Sequence, residues 1–142
     1  MRQLSNSYNL EERTAVFGEN VIDFCRILNQ DVITKPIISQ LIRSATSIGA
    51  NYMEANAASS KKDFANKIFI CKKEAQETKH WLRMVTKASP EAKVKTEALS
   101  KECQELTLIF QKITSTLRNG RMKIENSMEI TRTAKLGRSG GN

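Results

Sequence analysis

A single histidine, His80, and three cysteines, Cys25, Cys71 and Cys103, set the limits on nucleophilic and metal chemistry in this sequence. One histidine excludes a multi-histidine metal site within one chain. An odd number of widely separated cysteines gives neither a disulfide framework nor a zinc spacing. A Cys–His pair needs Cys71 or Cys103 to leave an apolar helix seam and reach His80, and neither has a surrounding motif. His80 reads more simply as a partly exposed surface residue. Gly49 stands alone inside a helix, so no glycine-rich phosphate loop is present. Glu74 and Glu77 are interleaved with lysines, which reads as a solvated helix face with i,i+4 pairs. The sequence therefore predicts no catalytic residue, no cofactor and no metal ligand.

Two other groups of residues carry binding chemistry instead. Arg43, Ser47, Asn51 and Glu54 fall within about 80° of one another on a helix, forming a polar stripe. Such a stripe either faces water or abuts a neighbouring subunit, with Arg43 and Glu54 pairing across the interface to fix its register. Ile70, Trp81 and Met84, with Ala88, widen the apolar surface of the next helix beyond one seam. Trp and Met are enriched in interface cores, whereas the simpler reading has Trp81 covering one end of a bundle. Basic residues cluster at Lys61, Lys62, Lys72, Lys73, Lys79 and Arg83, and again at Arg121 and Lys123. They do not form one clean line, which disfavours a groove-reading helix and suits phosphate contacts without base readout.

The elements that hold these residues are helices. Asn9 with Glu12 resembles a capping box, and Leu10, Thr14, Phe17, Val21, Phe24 and Leu28 then recur at helical spacing. Pro36 suits a first helical position, opening a second helix to about Ala57 with the seam Ile38, Leu41, Ala45, Ile48, Tyr52, Ala55. Ser60 with Asp63 opens a third, to about Lys87, whose seam is Phe64, Ile68, Cys71, Ala75, Thr78, Leu82 and Val85. Ser89-Pro90-Glu91 starts a fourth, running through Leu99, Cys103, Leu106, Phe110 and Leu117 to a stop at Asn119-Gly120. The fold expected is all-α: an antiparallel up-down-up-down four-helix bundle over 9–120, after a polar lead-in at 1–8. Residues 121–142 are expected to form a basic, flexible tail with one marginal helical turn around Ile124 and Met128.

The bulk numbers agree with a basic helical domain. The chain has 142 residues, enough for one domain, and 23 basic against 15 acidic residues give a net charge of +8. That balance points to polyanions such as RNA, DNA or anionic membrane. No apolar run approaches bilayer length and the first residues lack a signal core, so a cytoplasmic protein is expected.

The segment RSATSIGANYMEANAASSKKDFANKIFICKKEAQETKHWLRM resembles the bacterial four-helix-bundle proteins encoded in 23S ribosomal RNA intervening sequences and their free-standing relatives. The residues that carry the likeness are Arg43, Ser47, Ile48, Asn51 and Glu54 on one helix and Asp63-Phe64 opening the next. Tyr52-Met53-Glu54-Ala55 departs from the Ile-Ala-Glu-Gly of many relatives, which bears on the turn after the second helix. The resemblance covers about residues 8 to 118 and implies a ring-like homopentamer with a basic surface. It also implies kinship with the accessory variability determinant of diversity-generating retroelements, which binds nucleic acid and a reverse transcriptase. The expected function is non-catalytic, oligomeric binding of RNA or DNA through phosphates; the alternative is a protein-interaction adaptor, such as a reverse transcriptase partner.

Overall fold

The computed structural model describes residues 9–138, the side chains of Arg121 and Arg138 excepted. Helix α1 spans Leu10–Arg26, and Asn9 Oδ1 accepts the Glu12 N–H at 3.1 Å to cap it. Glu11 and Glu12 in its first turn face the positive end of the helix dipole. Every residue of its predicted seam is buried, from Leu10 to Leu28.

Helix α2 spans Thr34–Asn56 and starts two residues before the expected Pro36. The cause is Asp31, whose Oδ1 accepts the N–H groups of Ile33 and Thr34, each at 2.9 Å. Those donors have no intrahelical acceptor, so satisfying them upstream lets the helix begin before the proline. Pro36 then sits in the first turn, where it forfeits no helical hydrogen bond.

Helix α3 spans Lys61–Ala88, with Ser60 Oγ accepting the Asp63 N–H at 3.1 Å as the sequence predicts. A 3-10 turn at Pro90–Ala92 leads into α4, Lys93–Arg138, which is 46 residues long. The expected stop at Asn119-Gly120 does not occur. Glycine ends a helix by adopting a left-handed conformation, and no glycine among the described residues has positive φ. Gly120 stays helical at a cost of about 1 kcal/mol relative to alanine, and helix formers such as Met122, Lys123, Glu125 and Met128 follow it. The expected flexible tail is thus a helical extension as far as Arg138, and 139–142 lie outside the described residues, as does the lead-in at 1–8.

Consecutive helices pack on each other, and α1 also meets α4. Contacts fix their directions. A Cβ on Gly18 would meet Thr46 and one on Gly49 would meet Thr14, so α1 and α2 are antiparallel. Between α2 and α3, the contacts Glu54–Lys67, Ile48–Cys71, Ser44–Thr78 and Arg43–Glu77 have residue numbers adding to 119–122, the signature of an antiparallel register. Ala75–Cys103 and Thr86–Thr96 give the same relation between α3 and α4. The core between them includes Phe17, Leu41, Ile48, Ile68, Leu82, Leu106 and Phe110, all at 2% exposure or less. Burying each such side chain contributes roughly 1.5–3 kcal/mol.

Candidate nucleic-acid and subunit surfaces

Lys61, Lys72, Lys79 and Arg83 are 11, 18 and 22 residues apart from the first, near whole numbers of helical turns. They fall within about 40° of each other on α3 and span about 33 Å of its length. This flank borders α4: Lys79 Nζ donates to Gln104 Oε1, and Thr86 and Thr96 hydroxyls meet at 2.7 Å. Lys62 and Lys73 are exposed on a different face of α3. Lys123 lies exposed on the α4 extension, and the Arg121 side chain is outside the described residues. The structure thus aligns four of the eight basic candidates and leaves the others apart.

On the other flank of α3, Ile70, Trp81 and Met84 are half-buried, with Trp81 packed against the core. Beside them runs the α2 stripe, and its polar groups find partners within the same chain. Arg43 Nη2 donates to Glu77 Oε1 at 2.5 Å and Arg43 Nη1 lies 3.5 Å from Glu74 Oε2. Lys67 Nζ donates to Glu54 Oε2 at 2.5 Å. Ser47 Oγ and Asn51 Nδ2 bond back to the carbonyls of Arg43 and Ser47 on their own helix, at 2.6 and 2.8 Å. Within the chain, the ionic partners of Arg43 and Glu54 are on α3. The sequence reading missed Lys67, Glu74 and Glu77 in this role; the register that pairs Ile48 with Cys71 identifies all three. Trp81 Nε1 also donates to Glu77 Oε1 at 3.3 Å, and the Arg43 hydrogen bond holds the Glu77 carboxyl below its ordinary range.

Cys71 and Cys103 donate to the Ile48 and Ala75 carbonyls inside the core. Burial pushes both thiols up to about 12 and Cys25 to about 11, so thiolate is scarce near neutrality. His80 is exposed, its ring 5.0 Å from that of Trp81. The structure brings neither cysteine to it. Among the described residues no group of three His, Cys, Asp or Glu side chains is placed to hold a metal ion, and no helix is long and apolar enough to cross a membrane.

Among the described residues, four helices packed around one core, with a cationic flank on one side and a half-buried tryptophan flank on the other, define a basic helical-bundle protein. The chain belongs to the 23S rRNA-intervening sequence protein family, whose model matches residues 11–112. A crystal structure of a protein of unknown function from the S23 ribosomal protein family of Bacteroides thetaiotaomicron is similar at a TM-score of 0.64 and 27% identity. The match covers 74% of this chain and 97% of that one. No curated protein matches this chain in sequence.

Proposed function

We propose that this chain is a non-catalytic, self-associating cytoplasmic protein that binds RNA or DNA through phosphate groups. The observation that carries the reading is the row Lys61, Lys72, Lys79, Arg83 along the α3–α4 border, in a chain of net charge +8. A rigid row of cations on a helix flank follows a phosphate backbone without reading bases, and its affinity falls with salt because counterions are released. Membership of a family described by a ribosomal RNA element supports a nucleic-acid partner. The test is an electrophoretic shift on structured RNA and on duplex DNA at rising salt. Lys72→Glu with Arg83→Glu is expected to reduce the slope of log K against log salt by about 2. Absence of any retardation at low salt removes the reading.

A second reading rests on Trp81, Ile70 and Met84. Half-exposed Trp and Met beside the satisfied polar stripe Arg43, Ser47, Asn51 and Glu54 suit a protein-facing surface, either a sister subunit of a homopentamer or an adaptor's partner such as a reverse transcriptase. Trp81→Ala is expected to lower the mass seen by light scattering while leaving the fold intact; an unchanged mass would exclude this flank from self-association.

A further inference from the structure

Two surfaces are left uncovered by the other described residues. One is the outer part of α4. Ile124 and Met128, 58% and 67% exposed, continue at helical spacing the seam Phe110, Ile113, Leu117 by which α4 joins the bundle. Arg132 and Lys135 share a face with Met128. Residues 118–138 hold six basic and two acidic residues and lie beyond the family match, which ends at residue 112. A helix of this length rises about 30 Å. In isolation it is marginal in water, so an apolar face held in solvent calls for a partner.

The other surface is an open apolar groove of about 370 Å³ on the outside of α1 and α2. Ala15, Gly18, Gly49 and Ala50 form its floor and Met53 a wall, with Glu11 and Glu19 on its edge. The missing side chain at Gly49 lets the two helices approach closely, and the small residues Ala15, Gly18, Gly49 and Ala50 leave room for another helix to lie above them.

We propose that the α4 extension of one copy docks in the α1–α2 groove of a second copy, with Ile124 and Met128 on the groove floor and Arg132 and Lys135 against Glu11 and Glu19. Charge decides the occupant. Two extensions of like sign repel each other, and a nucleic acid offers phosphates to the cations but nothing to the aliphatic side chains between them. The acidic-edged apolar groove matches both features. The extension cannot reach its own groove, because α4 is one continuous helix rooted in the core and leading away from it. Extension and groove are different surfaces, so the contact is heterologous and closes as a ring or by exchange between two chains. The inference goes beyond the phosphate-binding reading and does not depend on it.

The test uses full-length chains. Met128→Cys in one and Ala50→Cys in the other are mixed and treated with a short bis-maleimide, the native cysteines being buried. A covalent heterodimer is expected well above the control pair of Met128→Cys with Lys101→Cys. Glu11→Lys with Glu19→Lys in the groove chain is expected to lower the yield about fivefold, and Arg132→Glu with Lys135→Glu in the extension chain to restore it. All of these positions are exposed, and circular dichroism verifies the fold. A yield no higher than the control, or one indifferent to both charge reversals, overturns the proposal. A parallel gel shift separates the two readings: if reversing the extension charges abolishes RNA retardation while cross-linking stays at the control level, the extension is a nucleic-acid arm and the docking proposal falls.

Discussion

The Arg43 guanidinium on α2 donates to the Glu77 carboxylate on α3 at 2.5 Å, and the same carboxylate oxygen accepts from Trp81 Nε1 at 3.3 Å. Arg43 therefore ties the polar stripe of one helix to the aromatic flank of the next. Its side chain is 47% exposed and that of Glu77 32%, so solvent screens the pair. A double-mutant cycle of Arg43→Ala and Glu77→Gln is expected to give a coupling of about 1 kcal/mol or less in urea unfolding. A coupling several times larger would contradict this account of the site.

The same carboxylate makes stability depend on acid. Arg43 holds Glu77 below its ordinary value of 4.5, and backbone hydrogen bonds from Thr34 and Ile33 lower Asp31 from 3.8. Both groups take up protons more readily when the chain is unfolded. Their contribution is thus fully present at neutral pH and is lost as pH falls through the acid range below these values. Denaturation midpoints measured from pH 7 to 3 should decline at the acid end. The decline should be shallower in Glu77→Gln and Asp31→Asn, and equal slopes in wild type and variants would remove the two groups as its source.

Beneath the ion pair, the hydroxyl oxygens of Ser44 and Thr78 lie 3.0 Å apart, with both residues fully buried. Thr78 also bonds to the Glu74 carbonyl at 2.7 Å and Ser44 to that of Leu41 at 3.2 Å. Thr78→Val leaves one buried hydroxyl short of a partner and should cost roughly 1–2 kcal/mol. The double variant with Ser44→Ala should cost less than the sum of the singles. Additive losses would show that the two hydroxyls do not act together.

The glycines separate into two kinds. A Cβ on Gly49 would lie 3.3 Å from Thr14 Oγ1 and 3.4 Å from its backbone carbon, whereas one on Gly18 would meet nothing nearer than 3.7 Å and one on Gly120 nothing within 4 Å. Gly18→Ala and Gly120→Ala should each gain up to about 1 kcal/mol from helix propensity. Gly49→Ala should gain less or lose, because the Thr14 backbone must yield. Thermal melts rank the three, and a Gly49→Ala equal to Gly18→Ala would refute close helix contact at that point.

Thiol chemistry gives a further check on the core. With Cys25, Cys71 and Cys103 buried and their thiols raised to about 11, 12 and 12, iodoacetamide at pH 8 should modify none of them in the folded protein. In denaturant all three should react, as mass spectrometry would count. Rapid native labelling of Cys71 or Cys103 is incompatible with the helix packing.

The seams of all four helices were legible because burying apolar surface dominates helix placement: Ile48, Cys71, Leu82 and Phe110 fall where a 3.6-residue period puts them. The end of α4 was not, since Asn119-Gly120 stops a helix only when the glycine leaves the helical region, and here the propensity of the following residues prevails. The start of α2 depended on Asp31, whose capping role competes with the more obvious proline. Partners for Arg43 and Glu54 need the inter-helix register, which no single-helix pattern contains. The row Lys61, Lys72, Lys79, Arg83 was in principle visible from its spacing, but the other lysines of α3 obscured it.

Arg13 forks from α1 to Glu102 and Glu105 on α4, at 2.6 and 2.7 Å, while α1 meets α4 at far fewer places than it meets α2. The first helix thus buries its apolar seam chiefly against α2 and meets α4 at few places besides this charged fork. A terminal helix with few contacts on one side can open as a cooperative unit while the remainder stays folded. Backbone amides of α1 would then exchange with deuterium sooner than those of α3, so within the packed bundle the first opening is the release of α1.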